Sequence, residues 1–402
     1  MTKARAIPLA LHDPAEPGPK GPQLQAFLEL GFRPLYIAGC TWALLSVAIW
    51  VYAPQWLSSP LGGVAWHAHE MLWDFVATIA VGFLLTASAT WTGINPLKGL
   101  PLALACLLWL VSRAGYLAGG ATAFYIAAVA ETAFFLISAV ALMRVMFKGK
   151  SKRNYGIPFL VLGLGVANCL YLQAARSGNY LVLMQYFELG LICMAVIALL
   201  VARRVIPFFA MRAVPGLSVP MLTRPGQVQL VLGVLAIVLG LAGFGVPAAV
   251  ALAATGLISL YQVIRWKPTA VLHAPILWIL YLGYAALGVG LLLAAAHLAG
   301  LGAATFARAA VHVHVIGMAG FSVLIIGMVT RTALGHLGRP LQLDAGMVLS
   351  YWLVILAVVL RLAALVPSGA MQPLLHASAA AWVAAFILYL WRFVPMLIRP
   401  RP

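Results

Sequence analysis

Residues 179–202 read NYLVLMQYFELGLICMAVIALLVA, an apolar stretch that contains one formally charged side chain, Glu188. A helix needs about 20 predominantly apolar residues to cross the hydrocarbon core of a bilayer. The stretch does not alternate between apolar and polar residues with a period of two, as the strands of a membrane β-barrel do. It therefore predicts a membrane-spanning α-helix.

The same pattern recurs along the whole chain of 402 residues, of which 64% are hydrophobic and only 8% are charged. Soluble globular domains are about one quarter charged, so the composition excludes that class. Polar residues, prolines and glycines divide the chain into apolar runs long enough to span a membrane. The sequence predicts an all-α, polytopic bundle of twelve helices, with spans at about residues 34–53, 67–91, 98–117, 121–146, 156–175, 179–202, 226–244, 247–264, 274–297, 304–331, 343–365 and 373–397.

The basic residues predict the orientation of the bundle. The formal net charge is +17, but the basic residues lie singly or in short loops between apolar runs, so we expect no nucleic-acid partner. Because cytoplasmic loops are enriched in Lys and Arg, we predict cytoplasmic N- and C-termini. Residues 1–30 then form a flexible cytoplasmic tail, and residues 31–402 form a single domain in the lipid bilayer. The side with both termini receives all of the 25 basic residues except Arg113, Arg176, Arg308 and Arg361.

Ionisable residues inside spans are costly in lipid, and they are therefore candidate functional groups. The second span opens with WHAHEM at residues 66–71. At 100° per residue, His67, Glu70 and Asp74 fall on one helix face, and His69 points about 200° away. Glu70 and Asp74 are candidate catalytic residues, which either orient a histidine N–H group or form a proton path.

The tenth span carries a second His-x-His pair, His312 and His314. Two imidazoles on opposite faces of one helix cannot chelate one ion, but they can serve two centres. Gly317 and Gly320 would let a flat macrocycle lie close to the helix backbone. Imidazole binds iron and copper, and haem iron commonly takes an axial histidine. A hydrogen bond to a neighbouring helix is the alternative role for any one of these residues, but two such pairs favour metal or haem.

A third set of polar residues lies at the predicted cytoplasmic side. Arginine binds carboxylates and phosphates through two parallel hydrogen bonds, so the set is a candidate anion site, for example for haem propionates. The alternative is that each arginine only fixes the topology and extends its charge to the membrane surface. The set comprises Arg33, Arg204, Arg331 and Arg339, together with His336 as a further candidate metal ligand.

These motifs together resemble the NnrS family of bacterial membrane proteins, from about Gly31 to about Pro395. The matching pieces are GFRP at 31–34, WHAHEM, FLLTA at 83–87 with WTG at 91–93, RVIPFF at 204–209, His312 followed by Gly317, and TRTALGHLGRP at 330–340. The combination is specific, whereas any one piece is weak.

The resemblance implies haem b and copper as cofactors and a role in denitrification or in defence against nitrosative stress. It implies functional roles for His67, His69, Glu70, His312, Arg331, His336 and Arg339; His314 is not expected in every member. This chain has Tyr281 and Thr90 where many members have His and Asn. Tyrosine can ligate ferric haem, so the first difference does not remove a site.

The leading hypothesis is a haem protein, with copper, of the bacterial inner membrane that binds or metabolises nitric oxide. Its histidine ligands would come from the second and tenth spans. Reduction of nitric oxide would make it an oxidoreductase, and the electrons would come from a membrane quinol or a separate carrier. One alternative is a transporter of a metal ion or an iron–nitrosyl species, which would purify without colour. Another is an assembly factor whose histidines only form hydrogen bonds.

Overall fold

The computed structural model of the chain describes residues 21–57, 60–302, 306 and 309–402. Within these ranges the regular secondary structure is helical, and twelve helices are long and apolar enough to cross a membrane. The predicted all-α class and the predicted number of spans are therefore confirmed. Of the tail predicted over residues 1–30, residues 1–20 lie outside the described ranges.

The twelve helices are numbered here in chain order. They are α1 (Phe32–Tyr52), α2 (Gly63–Thr92), α3 (Leu100–Ala118), α4 (Ala121–Lys148), α5 (Lys152–Ser177), α6 (Tyr180–Ala213), α7 (Thr223–Leu241), α8 (Gly245–Arg265), α9 (Pro275–Leu298), α10 (Ala310–His336), α11 (Ala345–Ala363) and α12 (Met371–Leu397).

The two ends of the described chain meet. The backbone N–H of Gln23 donates to the carbonyl oxygen of Ile398 at 2.8 Å. The backbone N–H of Gly99, before α3, donates to Leu28 O at 2.8 Å, so residues 23–28 are held against the bundle. We call this end of the bundle the terminal end and the opposite end the distal end.

Helix α6 is longer than its apolar run. Hydropathy ends the predicted span at residue 202, but the helix continues through Pro207 to Ala213. The arginines at 203 and 204 end the apolar run but not the helix, because arginine has a high helix propensity. Arg203 is 6% exposed and packs against Gly226 of α7. The connection between the predicted sixth and seventh spans, residues 203–225, is correspondingly shorter in the structure.

Two helices contain an unusual segment. Glu70–Val76 in α2 and Val315–Ser322 in α10 are π-helical, and the two segments contact each other. A π-helix bonds residue i to residue i+5, and such segments are frequent at functional sites. The Ser322 hydroxyl donates to Gly317 O, five residues earlier, at 2.9 Å. Each segment changes which side chains share a helix face.

Close packing brings α9 against α10 beside the second π segment. A Cβ atom added to Gly283 would lie 2.7 Å from Leu324 N and 3.1 Å from Gly320 O, which are both backbone atoms. The contact therefore requires glycine in α9.

We expect Gly283→Ala to lower the free energy of unfolding by about 1–3 kcal/mol, because overpacking forces the backbones apart. Gly240→Ala in α7 is the control, since an added Cβ there meets no atom within 4 Å. Thermal unfolding of both purified variants in detergent measures the difference. Equal midpoints for the two variants would contradict the close approach.

Candidate functional site

An apolar cavity of about 310 Å³ lies toward the distal end of the bundle. Its lining comes from α1, α2, α6, α10, α11 and α12. His67 from α2 and His314 from α10 both line it. The second and tenth spans, which the sequence predicted to supply ligands to a common centre, therefore each present one imidazole to the same cavity.

His67 is held by an aromatic contact. Its ring stacks on Trp50 of α1, with centroids 5.1 Å apart and an angle of 10° between the planes. Its Nδ1 is buried and, within the described residues, has no hydrogen-bond partner. A buried polar atom without a partner is costly, and such atoms are rare in folded proteins. The fold thus fixes the ring and leaves Nδ1 unsatisfied.

His314 is engaged at both ring nitrogens. Nδ1 lies 2.6 Å from the backbone oxygen of Ala310, to which it donates. Nε2 accepts a hydrogen bond from Arg361 Nε of α11 at 3.1 Å. Arg361 also lines the cavity and places a cation on a mostly apolar wall. The sequence interpretation counts Arg361 only among the few basic residues away from the termini, so its position at the cavity is new.

His69 faces a different environment. Its Nδ1 lies 3.0 Å from Glu70 Oε1 and 3.1 Å from Asp74 Oδ2. Its Nε2 lies 2.9 Å from Asn168 Oδ1 and 3.2 Å from Glu131 Oε2. The prediction that His69 points away from Glu70 and Asp74 is therefore wrong. In the π segment residues five apart share a side, and this brings Asp74 beneath His69.

Arg113 of α3 stands at the centre of the same group. Its Nη1 lies 2.8 Å from Glu70 Oε2 and also pairs with Asp74, while Nη2 lies 3.0 Å from Glu131 Oε1. All four side chains are at most 2% exposed. We call these residues with His69 the carboxylate network. Charged groups inside a membrane bundle are stable only when they are paired in this way.

Neutral donors complete the carboxylate network. Trp42 Nε1 of α1 donates to Glu70 Oε2 at 2.6 Å, and the Tyr116 hydroxyl donates to Glu131 Oε2 at 2.9 Å. Ligand-type atoms of His69, Glu70 and Asp74 lie within 4.8 Å of one another, as in a metal site. The two carboxylates are already bound by Arg113, however, so the hydrogen-bond network accounts for this arrangement without a metal.

His312 lies on the opposite side of α10 from His314, as the two-residue spacing predicts. Its Nε2 lies 2.8 Å from Glu188 Oε1 of α6. Its ring stacks on His297 of α9, with centroids 4.8 Å apart. His312 Nδ1 is buried and has no hydrogen-bond partner among the described residues. Two imidazoles and one carboxylate from three helices thus lie side by side.

At the terminal end, the arginines of the predicted anion site contact different groups of the protein. Arg33 Nη1 donates to Leu397 O at 2.9 Å and to Arg399 O at 2.6 Å. Arg204 donates to Asn154 Oδ1 at 2.5 Å.

Arg331 and Arg339 have other surroundings. The Arg331 guanidinium lies 3.8 Å from the centre of the Phe209 ring, and Arg339 Nε is buried without a partner in the described part of the chain. The His336 ring lies 5.5 Å from Phe32. At 1.5 Å per residue, His336 is roughly 30 Å along α10 from His314, so the two cannot share a centre.

Comparison with known proteins adds one result to this geometry. A family model described as NnrS protein matches residues 26–401. The chain belongs to the NnrS family. No curated protein matches the chain. In this NnrS family member the residues of the site lie within the matched range, which covers nearly the whole sequence.

The sequence interpretation of this NnrS chain missed three groups of the carboxylate network: Arg113, Tyr116 and Asn168. Glu131 was likewise not among the candidate site residues of the sequence analysis. A signal was present, because an arginine inside an apolar run requires an acidic partner on another helix. Which carboxylate pairs with it depends on helix packing.

We expect Arg113→Met to lower the free energy of unfolding by about 3–5 kcal/mol, because it leaves buried carboxylates without a cation. Arg176→Met is the control: Arg176 is exposed, and its guanidinium lies 5.0 Å from the Tyr125 ring. Thermal unfolding in detergent and monodispersity on gel filtration measure the effect. A similar loss of stability in both variants would show that the carboxylate network does not stabilise the fold.

Proposed function

We propose that this NnrS family member binds haem b in the cavity between His67 and His314 and binds nitric oxide there. The observation that supports this most is the His67 ring, fixed by Trp50 on an apolar cavity with Nδ1 unsatisfied, while an imidazole from α10 lines the same space. Haem iron commonly takes histidine as its axial ligand.

The lining of the cavity fits a flat macrocycle. It is mostly apolar, and an added Cβ at Gly317 would meet no atom within 4 Å, so the helix backbone is accessible there. Haem supplies an iron centre that binds small diatomic ligands and changes oxidation state. Nitric oxide is small and weakly polar, so it can reach the cavity through lipid.

The protein groups around the cavity have distinct roles in this proposal. His67 is the primary ligand, because no other residue competes for its Nδ1. His314 would be a second ligand to the iron if the hydrogen bond from Arg361 Nε to its Nε2 were broken. The Arg361 guanidinium is then available to pair with an anionic group of a molecule in the cavity, since arginine pairs readily with carboxylates.

Glu70 and Asp74 do not line the cavity, as far as its lining is described. Their oxygens are held by Arg113, Trp42 and His69. We therefore assign both carboxylates a positioning role: they fix the π segment that orients His67, and they do not contact the bound gas.

Copper, the second metal that the resemblance implies, fits His312 better than His69. His312 has an unsatisfied Nδ1 beside His297 and Glu188, whereas both nitrogens of His69 face oxygens of the carboxylate network. Imidazole nitrogens are suitable ligands for copper.

The same proposal includes the membrane in which the protein lies and the source of its electrons. The excess of basic residues at the terminal end favours cytoplasmic termini in the inner membrane of a bacterium. If nitric oxide is reduced, the electrons come from a membrane quinol or a separate carrier.

His67→Ala should weaken haem binding at least about tenfold. Removing a residue that only hydrogen-bonds to a metal ligand already lowers the affinity for the metal about tenfold, and His67 is the proposed ligand itself. The haem-to-protein ratio and the optical spectrum of detergent-purified protein measure the loss, and His273→Ala, an exposed loop position between α8 and α9, is the control. Nitric oxide added to the reduced protein should shift the Soret band. A colourless, iron-free protein would contradict the proposal and favour the transporter.

His312→Ala should lower the copper-to-protein ratio and leave the haem-to-protein ratio unchanged, because His312 is not among the residues that line the cavity. Elemental analysis beside the His273→Ala control measures both ratios. Loss of haem in His312→Ala, with copper retained, would reverse the assignment.

A further inference from the structure

A second cavity, of about 90 Å³, adjoins the first toward the terminal end. Its lining comes from α1, α2, α6 and α10, and every lining residue except Tyr36 is aliphatic, thioether or phenylalanine. The Tyr36 hydroxyl is already paired with Thr332 Oγ1 at 2.9 Å. No unpaired side-chain donor or acceptor therefore faces this space among the residues that line it.

Two residues belong to the walls of both cavities. Val76 and Phe321 line the first cavity and also the second. Both side chains are buried, and they lie in the π segments of α2 and α10, respectively. These segments contact each other, so the partition between the two cavities lies where the regular α-helical structure is interrupted.

The size and chemistry of the second cavity restrict its occupant. A buried water needs two to four polar partners, and an apolar cavity of about 150 Å³ stays dry and binds xenon or benzene. This cavity is smaller and equally apolar. A polar or charged ligand would lose its hydrogen bonds to water without replacing them. A small uncharged gas molecule fits the volume and needs no hydrogen-bond partner.

We propose that the second cavity is a docking site for small uncharged gas molecules, which pass the Val76–Phe321 partition to reach the His67–His314 cavity. The identity of the gas as nitric oxide rests on the proposed function, whereas the docking site itself does not. The Phe321 side chain controls the passage, because it is the larger of the two residues that line both cavities.

Xenon tests the docking site without any haem chemistry. Crystals of the full chain pressurised with xenon should show a xenon atom between Ala80 and Phe321. Ala80→Leu fills the space and should abolish that peak, whereas Ala89→Leu makes the same change on the same helix outside the cavity and should retain it. The absence of xenon from the wild-type cavity, or density for a lipid or detergent chain in it, would overturn the proposal.

The rate of nitric oxide binding to the haem-loaded protein tests the passage. Phe321→Trp should lower the association rate constant about tenfold, which corresponds to about 1.4 kcal/mol in the barrier. Phe159→Trp, at an exposed position of α5, is the control for the larger ring. Ala80→Leu provides a second obstructed variant if Phe321→Trp does not fold, and it should also slow binding.

The outcomes separate the two proposals. A wild-type protein that binds xenon but not nitric oxide retains the docking site and contradicts the proposed function. A wild-type protein that binds nitric oxide at the same rate as Phe321→Trp and Ala80→Leu retains the function and overturns the passage.

Discussion

One guanidinium, that of Arg113, contacts three buried carboxylates in a part of the protein where water cannot solvate them. Glu70, Asp74 and Glu131 all contact it, and each is at most 2% exposed. The guanidinium therefore ties α2, α3 and α4 together, and Trp42 adds α1. Because unpaired charge is so costly inside a membrane protein, these contacts favour one arrangement of the four helices. The orientation of α2, and with it the position of His67, depends on this pairing.

The two His-x-His pairs are used in the same way. One ring of each pair, His67 or His314, lines the shared cavity. The other ring, His69 or His312, contacts a carboxylate on a neighbouring helix, Glu131 or Glu188 respectively. A spacing of two residues on a helix makes this division possible, because the side chains diverge by about 200°. Each pair thus joins a site in an apolar cavity to an ionic contact that positions its helix.

The apolar interior and the proposed ligand are matched in chemistry. A bundle that takes a charged substrate needs a polar path. Both cavities are lined mainly by apolar side chains, and the ionisable groups at the first are those of Arg361, His314, His67 and Tyr180. Diatomic gases dissolve in lipid and need only space. The two residues that line both cavities, Val76 and Phe321, lie in the π segments.

The sequence alone determined the helical class, the twelve spans and the divergence of each histidine pair, because these follow from local terms: transfer of about 20 residues into lipid and the fixed rotation per residue. It also singled out His67, His69, His312 and His314. Only the tertiary structure decided which imidazoles share a cavity. It revealed that Arg113 pairs with Glu70 and Arg361 with His314, since these contacts join residues far apart in the chain. The sequence also did not predict the π segments, because packing between helices rather than a local sequence pattern stabilises this irregular hydrogen bonding.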